Sequence, residues 1–225
     1  MTTIRQRTGI TAALLIIGIL AALVAAEILP DLASLDAIRV AAIGTGLGAA
    51  SLVYLAAAAA SVGIAIALHP LLAPSSPGLA LGSVVFRSVE ATFYSVAVVC
   101  LLALQSLGRE PDLAGDLPLV LLVIRDQATL VGVLAFGAGA LLYYLVFLRA
   151  RLVPRWLAGW GVVGTLLLMV AAGLALFSGT PVTSYSLLIA PILVQELALA
   201  GWLLARGVSV PVPAREPSHQ EVRQA

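Results

Sequence analysis

The sequence predicts an all-α, polytopic membrane protein: a bundle of six transmembrane helices with both termini in the cytoplasm. Three observations lead there. Hydrophobic residues fill 61% of the 225 positions and charged residues only 10%, where a soluble domain carries roughly 45–50% and 25%. The apolar residues fall into six long runs, each able to cross a hydrocarbon core about 30 Å thick as a helix rising about 1.5 Å per residue. The runs are continuous, as in Ala12-Ala13-Leu14-Leu15-Ile16-Ile17. Barrel strands instead alternate apolar and polar residues, and a lone segment in lipid must satisfy its own backbone. This composition excludes a soluble enzyme, a nucleic-acid-binding domain and a disordered chain. The net charge of +1 gives no reason to expect an acidic polymer as partner.

The first span is expected from about Thr8 to Ile28, closed by Pro30-Asp31. Its apolar core is too long for a secretory signal, and no small-x-small cleavage site with a soluble domain follows, so it reads as a retained helix. The second runs from about Val40 to Leu68 and ends at His69-Pro70, with His69 in a loop. The third runs from about Leu79 to Leu107, the fourth from Leu117 to Leu148, the fifth from Trp156 to Phe177 and the sixth from Tyr185 to Ala205. The second and fourth exceed the span length and should tilt or project. Short turns at Ala73–Gly78 and Ser178–Pro181 join neighbours. Residues 1–207 form one transmembrane domain. The polar tail 208–225, with three prolines, is expected to be a disordered cytoplasmic segment.

Orientation follows from arginine, because the chain has no lysine. With a cytoplasmic N-terminus, Arg5, Arg7, Arg149, Arg151, Arg155, Arg206, Arg215 and Arg223 lie inside, and only Arg39 and Arg109 outside. The positive-inside rule selects that arrangement. The outer loops are acidic, with Asp31 and Asp36 in one and Glu110, Asp112 and Asp116 in another.

The informative residues are the ionisable ones inside the spans, because an arginine or aspartate at a helix centre costs about 2.5–3.5 kcal/mol. Ser83, Arg87, Glu90 and Tyr94 follow one another at helical spacing and share a face of the third span. Arg87 and Glu90 can pair at i, i+3. Gln195 and Glu196 sit at the middle of the sixth span, at the depth of Glu90. One arginine between two carboxylates leaves a negative charge to be balanced, by a proton or by another group. Pro191, five residues before Glu196, removes a backbone donor and offers a freed carbonyl as part of a polar niche. In the fourth span, Asp126 is expected to face inward, while Arg125 snorkels outward or pairs with Glu27. The candidate binding residues are therefore Arg87, Glu90, Glu196, Gln195, Tyr94 and Asp126. They either line a polar cavity for a solute or proton, or form interhelical salt bridges that fix register.

Other features read as packing or anchoring. Gly44 and Gly48, and Gly132, Gly137, Gly139 and Ala140, make small-residue faces for close helix contact or a homo-oligomer. Trp156 and Trp160 read as interfacial anchors, and Tyr143 and Tyr144 likewise. The sole cysteine, Cys100, makes no internal disulfide and reads as packing. His69 and His219 stand apart, and no His-Glu-x-x-His occurs, so no metal site, cofactor or catalytic residue is assigned. Spacing leaves open a carboxyl dyad from Glu90 and Glu196, or one using Asp126.

Several segments together resemble a bacterial membrane family catalogued as domain of unknown function 4386, from about Arg7 to Gly207. They are Arg39, Ala67-Leu68-His69-Pro70-Leu71-Leu72, Phe86-Arg87-Ser88-Val89-Glu90-Ala91, Val153-Pro154-Arg155-Trp156-Leu157, and Glu196 with Gly201-Trp202-Leu203-Leu204. The resemblance implies a six-helix integral membrane protein and assigns no reaction. It draws attention to Arg87, Glu90 and Glu196. It also leads to the expectation of a histidine after the acidic residue of the fourth span, where Gln127 stands instead.

The expected function is that of a multi-pass protein of the bacterial inner membrane with a small-solute or proton-coupled transporter-like role. The alternative is a non-catalytic scaffold or assembly partner with a purely structural cluster, and third comes a lipid-modifying enzyme. The reading leans against an enzyme. The lipid bilayer is the one certain partner, no nucleic acid is expected, and the small-molecule ligand is open.

Overall fold

The computed structural model describes residues 2–28, 44–108 and 116–208. Six α-helices carry them: α1 Thr2–Ile28, α2 Gly44–Leu72, α3 Pro77–Leu107, α4 Leu117–Ala150, α5 Arg155–Ser178 and α6 Ser186–Ala205. A 3₁₀ turn, Val182–Tyr185, leads into α6. All six are long and apolar enough to cross a membrane. The chain is an integral membrane protein of the multi-pass type. Arg39, Arg109, the loop acids Asp31, Asp36, Glu110 and Asp112, and the tail from residue 209 lie outside the described residues, while Asp116 stands exposed just before α4.

Local chemistry sets most helix ends. Pro77 occupies the first turn of α3, where its missing N–H leaves no bond unmade. Pro118 does the same in α4. Gly179 closes α5 with φ +69°, a left-handed conformation that glycine adopts without a Cβ penalty, and its N–H bonds the Ala175 carbonyl. Arg151 closes α4 with the same hand, φ 55°, and the chain there turns Leu152 and Val153 into the core. One boundary needs correction. His69 lies within α2, not in a loop, because the helix continues through Pro70 to Leu72. Pro70 leaves the Ile66 carbonyl without its helical donor, a loss confined to the last turn.

The helices pack in chain order, and α6 returns to α1, closing a ring. Thr8 of α1 faces Gly207 just after α6, so both ends of the transmembrane domain lie at the same end of the bundle. Large apolar residues point outward on every helix, among them Leu52, Val99, Phe177 and Leu187. A monomeric soluble protein does not tolerate such a surface, whereas lipid requires it.

The interior is built on small residues. Gly164 lets the α6 backbone approach, with Ile192 Cα 3.1 Å from where a Cβ would stand. Gly161 leaves room for the Tyr144 ring. The expected small-residue face of α4 is used within the chain: Gly132 lies against Tyr94, Gly137 against Met169, and Gly139 against Phe86 and Arg87. On α2, Gly48 lies against Gln105 of α3. The largest buried cluster gathers Tyr143, Tyr144 and Phe147 with Leu68, Leu72, Leu157 and Leu203 toward the arginine-rich end. A smaller one, Leu47, Ala50, Leu101, Leu104 and Leu122, fills the other end.

Candidate functional site: the buried arginine–glutamate network

The network forms where α2, α3, α4 and α6 turn polar side chains toward one another. Arg87 lies ten residues into α3, Glu196 nine residues before the end of α6, and Ser61 eleven before the end of α2, so all three sit about 14–17 Å along their helices from the arginine-rich end. Helical spacing places Arg87 and Glu90 on one face. Arg87 Nη1 donates to Glu90 Oε2 at 2.9 Å. Ser61 Oγ, from α2, donates to the same oxygen at 2.6 Å. Across the bundle, Arg87 Nη2 lies 3.9 Å from Glu196 Oε1. Tyr143 donates its hydroxyl hydrogen to that oxygen at 3.3 Å.

A second branch runs beside the first. The Tyr144 hydroxyl donates to Gln195 Oε1, and Gln195 Nε2 donates to the Leu157 carbonyl of α5 at 3.1 Å. This carbonyl belongs to the first turn of α5, and its capture ties α5 to α6. The guanidinium carbon of Arg87 stands 4.4 Å from the Phe136 ring centre and 5.7 Å from that of Tyr143. Aromatic faces stabilise a cation most strongly where water is excluded. Exposure is 2% for Arg87, 3% for Glu90 and 0% for Gln195. Arg87 Nε is buried without a hydrogen-bond partner among the described residues.

Arg87, Glu90, Gln195 and Glu196, four of the six residues singled out in the sequence, therefore come together. Tyr94 lies at the edge, half-buried on α3, stacked edge-on against Tyr54 with ring centres 6.0 Å apart. Asp126 stands elsewhere, paired with its neighbour Arg125. Three expectations are corrected. Arg125, not Asp126, is the buried member of that pair, with side-chain exposures of 11% and 31%. Adjacent residues point about 100° apart, so burying one turns the other away. The side chain of Glu27, offered as a partner, lies outside the described residues. Tyr143 and Tyr144 are not interfacial anchors but fully buried, and their hydroxyls find Glu196 and Gln195. The carbonyl freed by Pro191 is that of Leu187, nine residues before Glu196, about 13 Å away along the helix; it is not part of the niche.

Sequence reasoning missed Ser61, Phe136 and the Leu157 carbonyl. Ser61 carried a faint signal, the one hydroxyl after the alanine run 56–60. Among the described residues no group of three or more histidine, cysteine or carboxylate side chains is placed to hold a metal ion.

No curated protein and no solved structure matches the chain. The family model for a domain of unknown function, DUF4386, matches residues 8–207 and so takes in the whole network, five helices entire and α1 from Thr8 onward. A match over that much of the chain establishes kinship: this protein belongs to the DUF4386 family.

Proposed function

We propose that this chain is a non-catalytic membrane scaffold or assembly protein, and that the Arg87–Glu90–Glu196 network fastens its helices. The observation carrying this reading is a set of buried hydrogen bonds that run between helices. Serine, tyrosine, glutamine and carboxylate groups from α2, α3, α4 and α6 spend their hydrogen bonds on one another and on Arg87. A carbonyl of α5 is drawn in as well. A solute path would have to wet groups that this packing covers. The arginine distribution supports a cell-membrane protein with both termini in the cytoplasm.

The purified protein in lipid vesicles loaded with a pH-sensitive dye tests the reading. Under an imposed proton gradient, with equal potassium on both sides and with and without a potassium ionophore to collapse the membrane potential, the leak should match that of protein-free vesicles. A flux above that leak, abolished by Glu196→Gln, would overturn it. It would establish the second reading, a proton-coupled transporter-like protein, which one observation favours: two carboxylates face one guanidinium.

A further inference from the structure

The two carboxylates of the network are held unequally. Glu90 Oε2 takes both the short bond from Arg87 and the short bond from Ser61, and its side chain is 3% exposed. Glu196 has one long hydrogen bond, from Tyr143, and a guanidinium nitrogen at 3.9 Å, and its side chain is 10% exposed. Both of its contacts fall on Oε1, leaving Oε2 without a donor among the described residues.

The charged and titratable groups facing Glu196 are Arg87, Glu90 and, at the edge, Tyr94 from α3, and Tyr143 and Tyr144 from α4. From α1 and α5 the buried polar residues are Thr8, Thr11 and Thr165, and their hydroxyls donate to the carbonyls of Arg5, Arg7 and Gly161 one turn back in their own helices. Among the described residues, then, one cation meets two acids. An uncompensated carboxylate in an apolar interior is neutralised rather than tolerated.

We propose that the network contains a proton-binding site at Glu196: Arg87 forms the ion pair with Glu90, and Glu196 holds one proton on Oε2. With that proton the network is neutral, and the Tyr143 hydroxyl still donates to Oε1. Without it, a second carboxylate competes for the same guanidinium. This site is independent of the scaffold reading, since a fastener and a transport pathway could each contain it.

Infrared spectroscopy of the protein in lipid vesicles tests it. At neutral pH the wild type should show the carbonyl stretch of a protonated carboxyl in apolar surroundings. Glu196→Asp should shift that band, while Glu90→Asp and Asp126→Asn should leave it in place. Absence of the band from the wild type, or a band that answers to Glu90→Asp and not to Glu196→Asp, overturns the proposal. Should Glu196→Asp not fold, the wild-type spectrum and Glu196→Gln decide. The wild-type Tm should fall as the pH is raised to the alkaline side, because losing the proton sets two carboxylates against one cation. Glu196→Gln should remove that fall, and an equal fall in this variant overturns the proposal.

Discussion

Arg87 and Arg125 are both buried arginines with an acid close by in sequence, and both leave Nε without a partner among the described residues. Their surroundings differ. Arg87 has its acid three residues on, so both can face the interior, and the pair is 3% exposed on each side. A serine from α2 and an aromatic ring from α4 complete it. Arg125 has its acid on the next residue, and Asp126 is turned partly out to 31% exposure. One pair couples helices, whereas the other is local to α4. The difference teaches that in a membrane helix the offset between opposite charges matters as much as their presence. An offset of three lets an ion pair join the tertiary structure, and an offset of one keeps half of it outside.

Removing the cation should separate the two regions most sharply. Arg87→Leu leaves the buried Glu90 carboxylate without its cation and should destabilise the protein by about 3–5 kcal/mol. Thermal unfolding in detergent would read this as a large fall in Tm or a loss of folded yield. Wild-type stability in the variant would break the contrast. Next comes the packing beneath the network. Gly161→Ala drives a methyl into the Tyr144 ring, and overpacking costs about 1–3 kcal/mol. Gly173→Ala, where nothing lies within 4 Å of the added carbon, should be silent in the same assay.

Smaller effects sharpen the picture further. Tyr144→Phe should cost about 0.6 kcal/mol, the average for a hydrogen bond inside a membrane bundle, and at most about 1.7 kcal/mol. Hydrogen exchange at the first turn of α5 should rise with it, because Gln195 is then held only by the Leu157 carbonyl. Arg125→Leu should change stability less than Arg87→Leu, because the acid it strands is the part-exposed Asp126 and not a fully buried carboxylate. A double-mutant cycle on Arg125 and Asp126 should return a smaller coupling than one on Arg87 and Glu90. Equal couplings would mean that offset does not decide the strength of such pairs.

Why the sequence revealed one part of the network and not another follows from chemistry. Arg87, Glu90 and Glu196 announce themselves because a charge in an apolar run has no cheap explanation. Ser61 and the two tyrosines do not, since serine can bond its own helix and tyrosine is at home near an interface. Tyr143 and Tyr144 stand seven and six residues before the end of α4. Whether that end projects into water or packs inward depends on the neighbouring helices, and here Gly161 of α5 makes the room. Asp126 turns outward for a reason equally invisible in the sequence: periodicity gives the angle between Arg125 and Asp126 but not the direction of the interior.

The order and approximate limits of the six helices, the absence of a barrel pattern and the identity of the buried charges were set by the chain alone. Lipid cannot solvate a backbone or an ion, so composition along the chain dictates them. Closure of the ring by α6 against α1, the choice of Glu90 over Glu196 as the tight partner of Arg87, and the inward turn of the tyrosines were decided by packing. These depend on which small residues permit close approach and on which acid lies within bonding distance, and neither is fixed until all the helices are in place.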